Sequence, residues 1–302
     1  MGMISVQLGG LAEQFGIDGA YRLIREAGFD GVDVNPMFIL TSPEIKAYTR
    51  SPILDMDAEA ILSHFAPFRE AAEKYGLRNL QAHAPYPSCM IRDPEYSEYL
   101  LQGLEKIIGG CAFMGCHRLV IHPFFYPYED QLTPEEEWEM NMKNYTRLIP
   151  FARKHRVTLC LENMFTRYRK KLYAACCSDI ATACRYIDEL NRRAGERLFG
   201  FCLDTGHLLL VAQDVRRAMV QLGDRLEAFH IHDNDGVNDQ HKPPYTGILD
   251  WERFIDGLRL TRCSKPLNFE THGAAFPPEL AGEVLRLIAQ TGRMFQQKAG
   301  IE

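Results

Sequence analysis

Six apolar runs of this chain each stop at a side chain able to bind a metal ion or move a proton. The run-ending residues are His83, His122, Glu162, Asp204 with His207 just behind it, His230 with His232, and Glu270. A carboxylate at the end of a buried run is costly to desolvate, and it is retained when it is paired or holds a cation. The strongest signals are Cys160-Leu161-Glu162-Asn163 and Phe201-Cys202-Leu203-Asp204-Thr205-Gly206-His207; for either acid alone, capping the next helix is an equal reading. Glu162, Asp204, His230 and Glu270 taken together form an oxygen-rich set. It suits one divalent ion, Mn2+, Mg2+ or Co2+, with Zn2+ also accepted, and leaves coordination positions for two substrate oxygens. His230 and His232 are two apart on a strand and point to the same side, so either could be the ligand.

The elements that must carry these residues alternate regularly. Strands are expected at Ile4–Leu8, Gly31–Asn35, Asn79–His83, Leu119–His122, Thr158–Glu162, Gly200–Asp204, Ala228–His232 and Leu267–Glu270. Helical spacing falls between them, at Tyr21–Ala27, Ala58–Tyr75, Tyr96–Met114, Glu135–His155, Asp179–Arg193, Val215–Leu222, Trp251–Leu258 and Pro278–Thr291. Pro134 and Pro278 suit first helical turns, Thr133 and Ser178 suit caps, and Ala27-Gly28 and Tyr75-Gly76 suit helix ends. Eight such units with short connections predict an α/β fold, a single (β/α)8 TIM barrel over residues 1–302. The competing architecture is an open doubly wound sheet. The longest connection, residues 36–57 with Pro36, Pro43 and Pro52, follows strand two on the active face and reads as a lid or substrate-facing loop, or as an inert insertion.

Composition narrows the partners. A formal charge of −6 argues against a partner bound through polynucleotide phosphates. The densest basic run, Arg167 to Lys171, would meet an anionic substrate group or simply be solvated. No apolar stretch is long enough to span a membrane, and no Gly-x-Gly-x-x-Gly or Walker loop follows a strand. Nine cysteines without metal-binding spacing, the adjacent pair Cys176 and Cys177 among them, suit reduced thiols. Met1 to Gly10 lacks the pattern of a secretory signal. The expectation is a whole-chain, cytoplasmic protein.

The set His83-Ala84-Pro85-Tyr86, Ile121-His122-Pro123, Leu161-Glu162-Asn163, Leu203-Asp204-Thr205-Gly206-His207 and His230-Ile231-His232-Asp233-Asn234-Asp235-Gly236, followed by Asp239-Gln240-His241 and Gly247-Ile248-Leu249-Asp250-Trp251, resembles the xylose-isomerase-like TIM-barrel superfamily. The resemblance runs from Gly28-Phe29-Asp30-Gly31-Val32-Asp33 to Glu270. That superfamily holds sugar and sugar-phosphate isomerases and epimerases, inosose dehydratases and trinuclear-zinc apurinic-site endonucleases. Its epimerase branch implies one ion on Glu162, Asp204, His230 and Glu270, and its His-x-x-acid element aligns His230 with Asp233, favouring His230 as ligand. His232 with Asp235 matches equally in spacing. The endonuclease branch implies three zinc ions on His83, His122, Glu162, Asp204, His207, His230, Asp239, His241 and Glu270. Two departures stand out: Gly236-Val237-Asn238 lacks the arginine of the ketose 3-epimerases, and Met164-Phe165-Thr166-Arg167-Tyr168 is bulkier than the endonuclease loop.

The expected chemistry is proton transfer on a small carbohydrate, sugar phosphate or polyol through a metal-stabilised enediolate. Glu162 and Glu270 would act as general base and acid, and His207 would hydrogen-bond a substrate oxygen. His83, His122, His232, Asp239 and His241 are further metal or substrate contacts. Zinc-cluster phosphodiester hydrolysis is the first alternative. The second is a lyase reaction, dehydration or C-glycoside cleavage, for which the aromatics Phe124, Phe125, Tyr126 and Tyr128 would suit an aromatic aglycone. Trp138 and Trp251 are candidates for a homodimer interface or for helix packing.

Overall fold

Short apolar runs buried along nearly their whole length pair side by side, as strands covered on both faces must. The computed structural model describes residues 2–35, 39–90, 93–271 and 276–301. Its strands are β1 (Ile4–Gln7), β2 (Gly31–Val34), β3 (Arg78–His83), β4 (Arg118–Val120), β5 (Thr158–Glu162), β6 (Phe165–Tyr168), β7 (Lys171–Ala174), β8 (Phe199–Asp204), β9 (Leu226–His230) and β10 (Leu267–Phe269). Eight of them form one parallel sheet in the order β10-β1-β2-β3-β4-β5-β8-β9. The ring closes between β9 and β10, where the Ile231 N–H donates to the Asn268 carbonyl at 2.9 Å and the Glu270 N–H donates to the Ile231 carbonyl at 3.1 Å. Closure excludes the open doubly wound sheet and gives the expected TIM barrel.

The two barrel ends differ in chemistry. At the N-terminal end, Glu227 draws in Arg118 at 3.0 Å, Lys265 at 2.5 Å and Arg197 at 3.5 Å. A small apolar layer of Val120, Cys160, Cys202 and Ala228 fills the interior. The C-terminal end gathers the acids and imidazoles, as is usual for this architecture.

Several sequence expectations shift in detail. The first helix runs Gly9–Ala27, well before the expected Tyr21, and bends at Gly16 (φ 69°, ψ 166°); the glycines at 9, 10, 16 and 19 weaken its helical signal. Thr133 forms a full capping box with Glu136 ahead of Pro134–His155. The next cap is Asp179, not Ser178: the Asp179 carboxylate accepts the Thr182 N–H at 3.0 Å, while Ser178 Oγ donates to the Met164 carbonyl. The connection after β2 holds two short helices, Ser42–Lys46 and Pro52–Asp55, capped by Thr41 and Ser51. Its first residues, Pro36 to Phe38, lie outside the described residues.

The segment after β5, read from sequence as a bulky loop, is the antiparallel hairpin β6–β7. Its two-residue turn is Arg169-Lys170, both at positive φ (46° and 66°). Such turns ordinarily carry Asn-Gly or Asp-Gly, so the usual hairpin signal was absent. Among the described residues no helix is long and apolar enough to cross a membrane.

Candidate metal centre

Each strand end delivers its side chain through local chemistry that the motifs encode. Asn163 takes over where β5 and β8 part: its side chain accepts the Asp204 N–H and donates to the Asp204 carbonyl, both at 2.9 Å. In Asp204-Thr205-Gly206-His207, Asp204 Oδ1 accepts the His207 N–H at 2.6 Å and caps the helix Thr205–Leu210. Thr205 Oγ1 accepts the His232 N–H at 3.0 Å and donates to the His232 carbonyl at 2.8 Å. Gly206 leaves room for the His232 ring, since a Cβ there would lie 1.9 Å from His232 Cε1.

Ligand-capable atoms of Glu162, Asp204, His230 and Glu270 all lie within 4.8 Å of one another, and all four residues are buried. His230 Nδ1 stands 3.0 Å from Glu162 Oε1, 3.4 Å from Glu270 Oε2 and 3.9 Å from Asp204 Oδ2. A second group joins Glu162 to His83 and His122, with Glu162 Oε2 3.6 Å and 3.3 Å from their Nε2 atoms. Glu162 Oε2 is buried without a hydrogen-bond partner. An orphaned carboxylate oxygen costs about 1–3 kcal/mol or more, and three carboxylates converging on one imidazole nitrogen form the donor set of a hard or borderline divalent cation. The residues fit such an ion.

His230 and His232 take different places. His230 belongs to the four-residue group. His232 turns its Nε2 to Asp204 Oδ1 at 3.0 Å and lies flat on His241, with ring centroids 4.1 Å apart and planes within 4°. It also falls into two other ligand-capable groups, one with Asp204 and His207 and one with His241 and Glu270. His207 Nδ1 is 2.9 Å from the Asn163 carbonyl, and its Nε2 faces Asp239 Oδ2 at 3.6 Å. Asp239 is also 3.1 Å from His241 Nε2. Asp233 accepts from the Leu249 N–H and the Trp251 indole N–H, both at 3.0 Å, so it anchors the loop after β9. Asp235 is used in the turn at Val237 and Asn238.

The field among these groups is uneven. Burial, reinforced by the charges of Asp204 and Glu162, pushes the Glu270 carboxyl up to about 7. Burial acts the same way on Glu162, but His230 and His122 outweigh it and hold that carboxyl well below the usual range. Burial would lower His207, yet the carboxylates of Asp204 and Asp239 push it up to about 10. His122 is driven well down, by burial first.

Two residues that sequence reasoning passed over complete the centre. Gln7, at the end of β1, donates to Glu270 Oε1 at 3.0 Å. Asp33 of β2 is fully buried beneath the four-residue group, its Oδ2 3.7 Å from His230 Nε2. Asn268 and Gln81 donate to that same oxygen at 2.7 Å and 3.1 Å. The signal was present in both cases, a polar side chain inside an apolar run.

Above the acids and imidazoles opens a cavity of about 700 Å3. His83, His122, Glu162, His207, Asp239, His241, Glu270 and Gln7 reach it, and Phe125 and Tyr126 line its wall with Tyr86 and Phe165. Phe124 instead packs in the core against Tyr145, and Tyr128 stacks on Tyr168 and Tyr173 of the hairpin. Of the basic run only Arg167 lines the cavity. Trp251 is a core residue, and Trp138 stacks on Tyr186 between helices.

A family model described as a xylose isomerase-like TIM barrel matches residues 21–291. The uncharacterized protein y4fM of Sinorhizobium fredii is 26% identical over 273 residues, spanning 85% of this chain and 81% of that protein. Among solved structures, 3-keto-D-glucoside 4-epimerase YcjR from E. coli superposes with a TM-score of 0.70 at 19% identity, covering 97% of this chain and 100% of that one. D-allulose 3-epimerase from Methylomonas sp., in complex with D-allulose, gives a TM-score of 0.67 at 16% identity over 99% and 98%. At these identities the likeness is one of fold.

Proposed function

The chain belongs to the xylose isomerase-like TIM-barrel family, and on that premise we propose that it is a divalent-metal-dependent isomerase or epimerase of a sugar, sugar phosphate or polyol. The observation that carries this reading is the convergence of Glu162, Asp204 and Glu270 on His230 Nδ1 beneath an open cavity that Glu162 and Glu270 reach. Two neighbours in fold bear the names of sugar epimerases, which agrees with it.

Glu162, Asp204, His230 and Glu270 would hold one ion, Mn2+, Mg2+ or Co2+, with Zn2+ also suited to the set. When bound, the ion would supply Lewis-acid polarisation of adjacent carbonyl and hydroxyl oxygens of the substrate, acidifying the C–H of the hydroxyl-bearing carbon. Glu162, at the end of β5, and Glu270, just after β10, would remove and return that proton as general base and acid. His207, which reaches the cavity, would hydrogen-bond a substrate oxygen. Return of the proton to the opposite face of the same carbon gives epimerisation, to the neighbouring carbon isomerisation, and loss of a β-hydroxyl gives dehydration.

A second reading, phosphodiester hydrolysis by a zinc cluster, is favoured by one observation: His83 and His122 form their own ligand group with Glu162, and Asp239 sits between His207 and His241. Metal content of the untagged protein separates the two. About one manganese, cobalt or magnesium per chain supports the proton-transfer reading, and close to three zinc ions supports the cluster. Glu162→Gln and Glu270→Gln should each abolish solvent deuterium uptake into the sugar carbon. Uptake retained in both variants would sink the roles given to them.

A further inference from the structure

Resting on the proton-transfer reading above, we propose that the substrate is an anionic sugar, an open-chain aldose or ketose whose end remote from the reacting carbons carries a phosphate or carboxylate held by Lys46 and Arg167. Such a molecule keeps free the carbonyl and adjacent hydroxyl that the proton transfer needs. Charge matching is the first argument. The chain has more acids than bases, 40 against 34, and exposed cations elsewhere find carboxylates, as Arg50 does with Asp55 and Arg153 with Glu196, both at 2.6 Å. Among the described residues that line the cavity, the only Lys and Arg are Lys46 and Arg167, and neither is ion-paired among the described residues. The acids there are already engaged: Asp239 stands 3.1 Å from His241 Nε2 and 3.6 Å from His207 Nε2, while Glu162 and Glu270 belong to the four-residue group. Two unmatched cations facing one concave, low-dielectric space focus their field into it.

The second argument is the way these cations are mounted. Lys46 ends the helix Ser42–Lys46, which is fixed by the Thr41–Glu44 capping box and by the fully buried Ile45. The chain just beyond is pinned to the helix Pro94–Phe113: Tyr96 Oη donates to the Thr49 carbonyl at 2.5 Å, and the Ser51 N–H donates to Tyr99 Oη at 2.8 Å. Lys46 therefore stands on an anchored platform. Arg167, on β6, donates from one guanidinium nitrogen to the Val237 carbonyl at 2.6 Å; that uses one of its five N–H donors.

Each cation has a hydroxyl for company, Ser42 one helical turn before Lys46 and Thr166 next to Arg167, and both line the cavity. In the barrel order β3 and β4 separate the two groups, so they flank the wall built after those strands. Ammonium, guanidinium and hydroxyl donors are the set that takes up a phosphate or carboxylate. Size allows it. A hexose phosphate has sixteen non-hydrogen atoms; at the roughly 30 Å3 that a water molecule takes in the liquid, it needs at most about 480 Å3, and the cavity offers about 700 Å3. From the basic run of the sequence the fold selects Arg167, and it adds Lys46, which no motif marked.

The test is calorimetric binding, to the Mn2+-loaded full chain, of neutral ketoses against their charged forms: D-fructose with D-fructose 6-phosphate and D-fructuronate, and D-xylulose with D-xylulose 5-phosphate. The expected result is that at least one charged form binds tenfold or more tightly than its neutral parent at low ionic strength, an advantage that shrinks at about 0.5 M salt. Comparison of the phosphate with the carboxylate tells which group is the natural one. Lys46→Gln and Arg167→Gln should each cut the advantage at least threefold and together remove it, while affinities for Mn2+ and the neutral ketoses stay within twofold. Equal affinity for charged and neutral forms, no binding by any charged form, or an advantage that persists in the double variant would overturn the inference. The metal-dependent proton-transfer reading would survive those results. It falls separately if the chain binds no Mn2+.

Discussion

Replacing Gly206 by alanine should destabilise the protein through one imidazole. In most helices Gly→Ala is neutral or stabilising by about 0.4–1 kcal/mol. Gly206 sits in the helix Thr205–Leu210, but an added Cβ would fall 1.9 Å from Cε1, 2.4 Å from Nδ1 and 2.7 Å from Nε2 of His232. That ring is fully buried, stacked on His241 and tied to Asp204, so it cannot retreat without opening the stack or breaking the Asp204 contact. Overpacking costs about 1–3 kcal/mol, and an unpaired buried polar group costs about the same again; a total of about 4 kcal/mol is expected. With an unfolding entropy of about 2.1 cal/mol/K per residue over 302 residues, that lowers Tm by about 6 °C. Thermal melts of Gly206→Ala, His232→Ala and the double variant form the cycle that isolates the clash. In the His232→Ala background the alanine at 206 should be harmless. An equal loss in both backgrounds, or no loss in either, would refute the reasoning.

Metal affinity should rise with pH. Burial would lower the His230 pKa, but Cys202, Glu270 and Glu162 hold it well above the ordinary value, so an ion must displace its proton. Mn2+ affinity should therefore fall on acidification, most steeply below about 7, where Glu270 takes up a proton of its own. Calorimetry in two buffers of different ionisation enthalpy should count more protons released per ion at pH 6 than at pH 8; pH-independent affinity across that window would rule this out. Asp33→Asn, which removes the charge facing His230 Nε2, should weaken Mn2+ binding by about tenfold or more. An affinity within twofold of wild type would show that Asp33 does not orient the imidazole.

The barrel strands were legible because parallel strands buried on both faces read as apolar runs, and the runs stopped where the polar floor begins. Glu162, Asp204, His230 and Glu270 stood out for that reason, and they do lie together. What stayed hidden had physical causes. The hairpin turn Arg169-Lys170 adopts positive φ without glycine or asparagine. The first helix is masked by four glycines. Asp33 and Gln7 are polar residues inside apolar runs, but their strands end in no histidine or acid of the motif train, so their contacts are what place them at the centre. Spacing could not distinguish His230 from His232; in the fold they fall into different ligand-capable groups, His230 with Glu162, Asp204 and Glu270, and His232 with Asp204 and His207 or with His241 and Glu270.

The hairpin β6–β7 leaves and rejoins the barrel almost at one point: the Met164 N–H donates to the Cys176 carbonyl at 3.1 Å, and the Ala175 N–H donates to the Met164 carbonyl at 3.0 Å. It is a cassette with adjacent ends, and it carries Phe165, Thr166 and Arg167 into the cavity. A unit attached this way can be lengthened, shortened or exchanged during divergence with little disturbance to the strand order or to the side chains on the barrel floor. Lineages sharing this floor would then differ first in their hairpins, and drift in what the protein accepts could outpace drift in what it does to it.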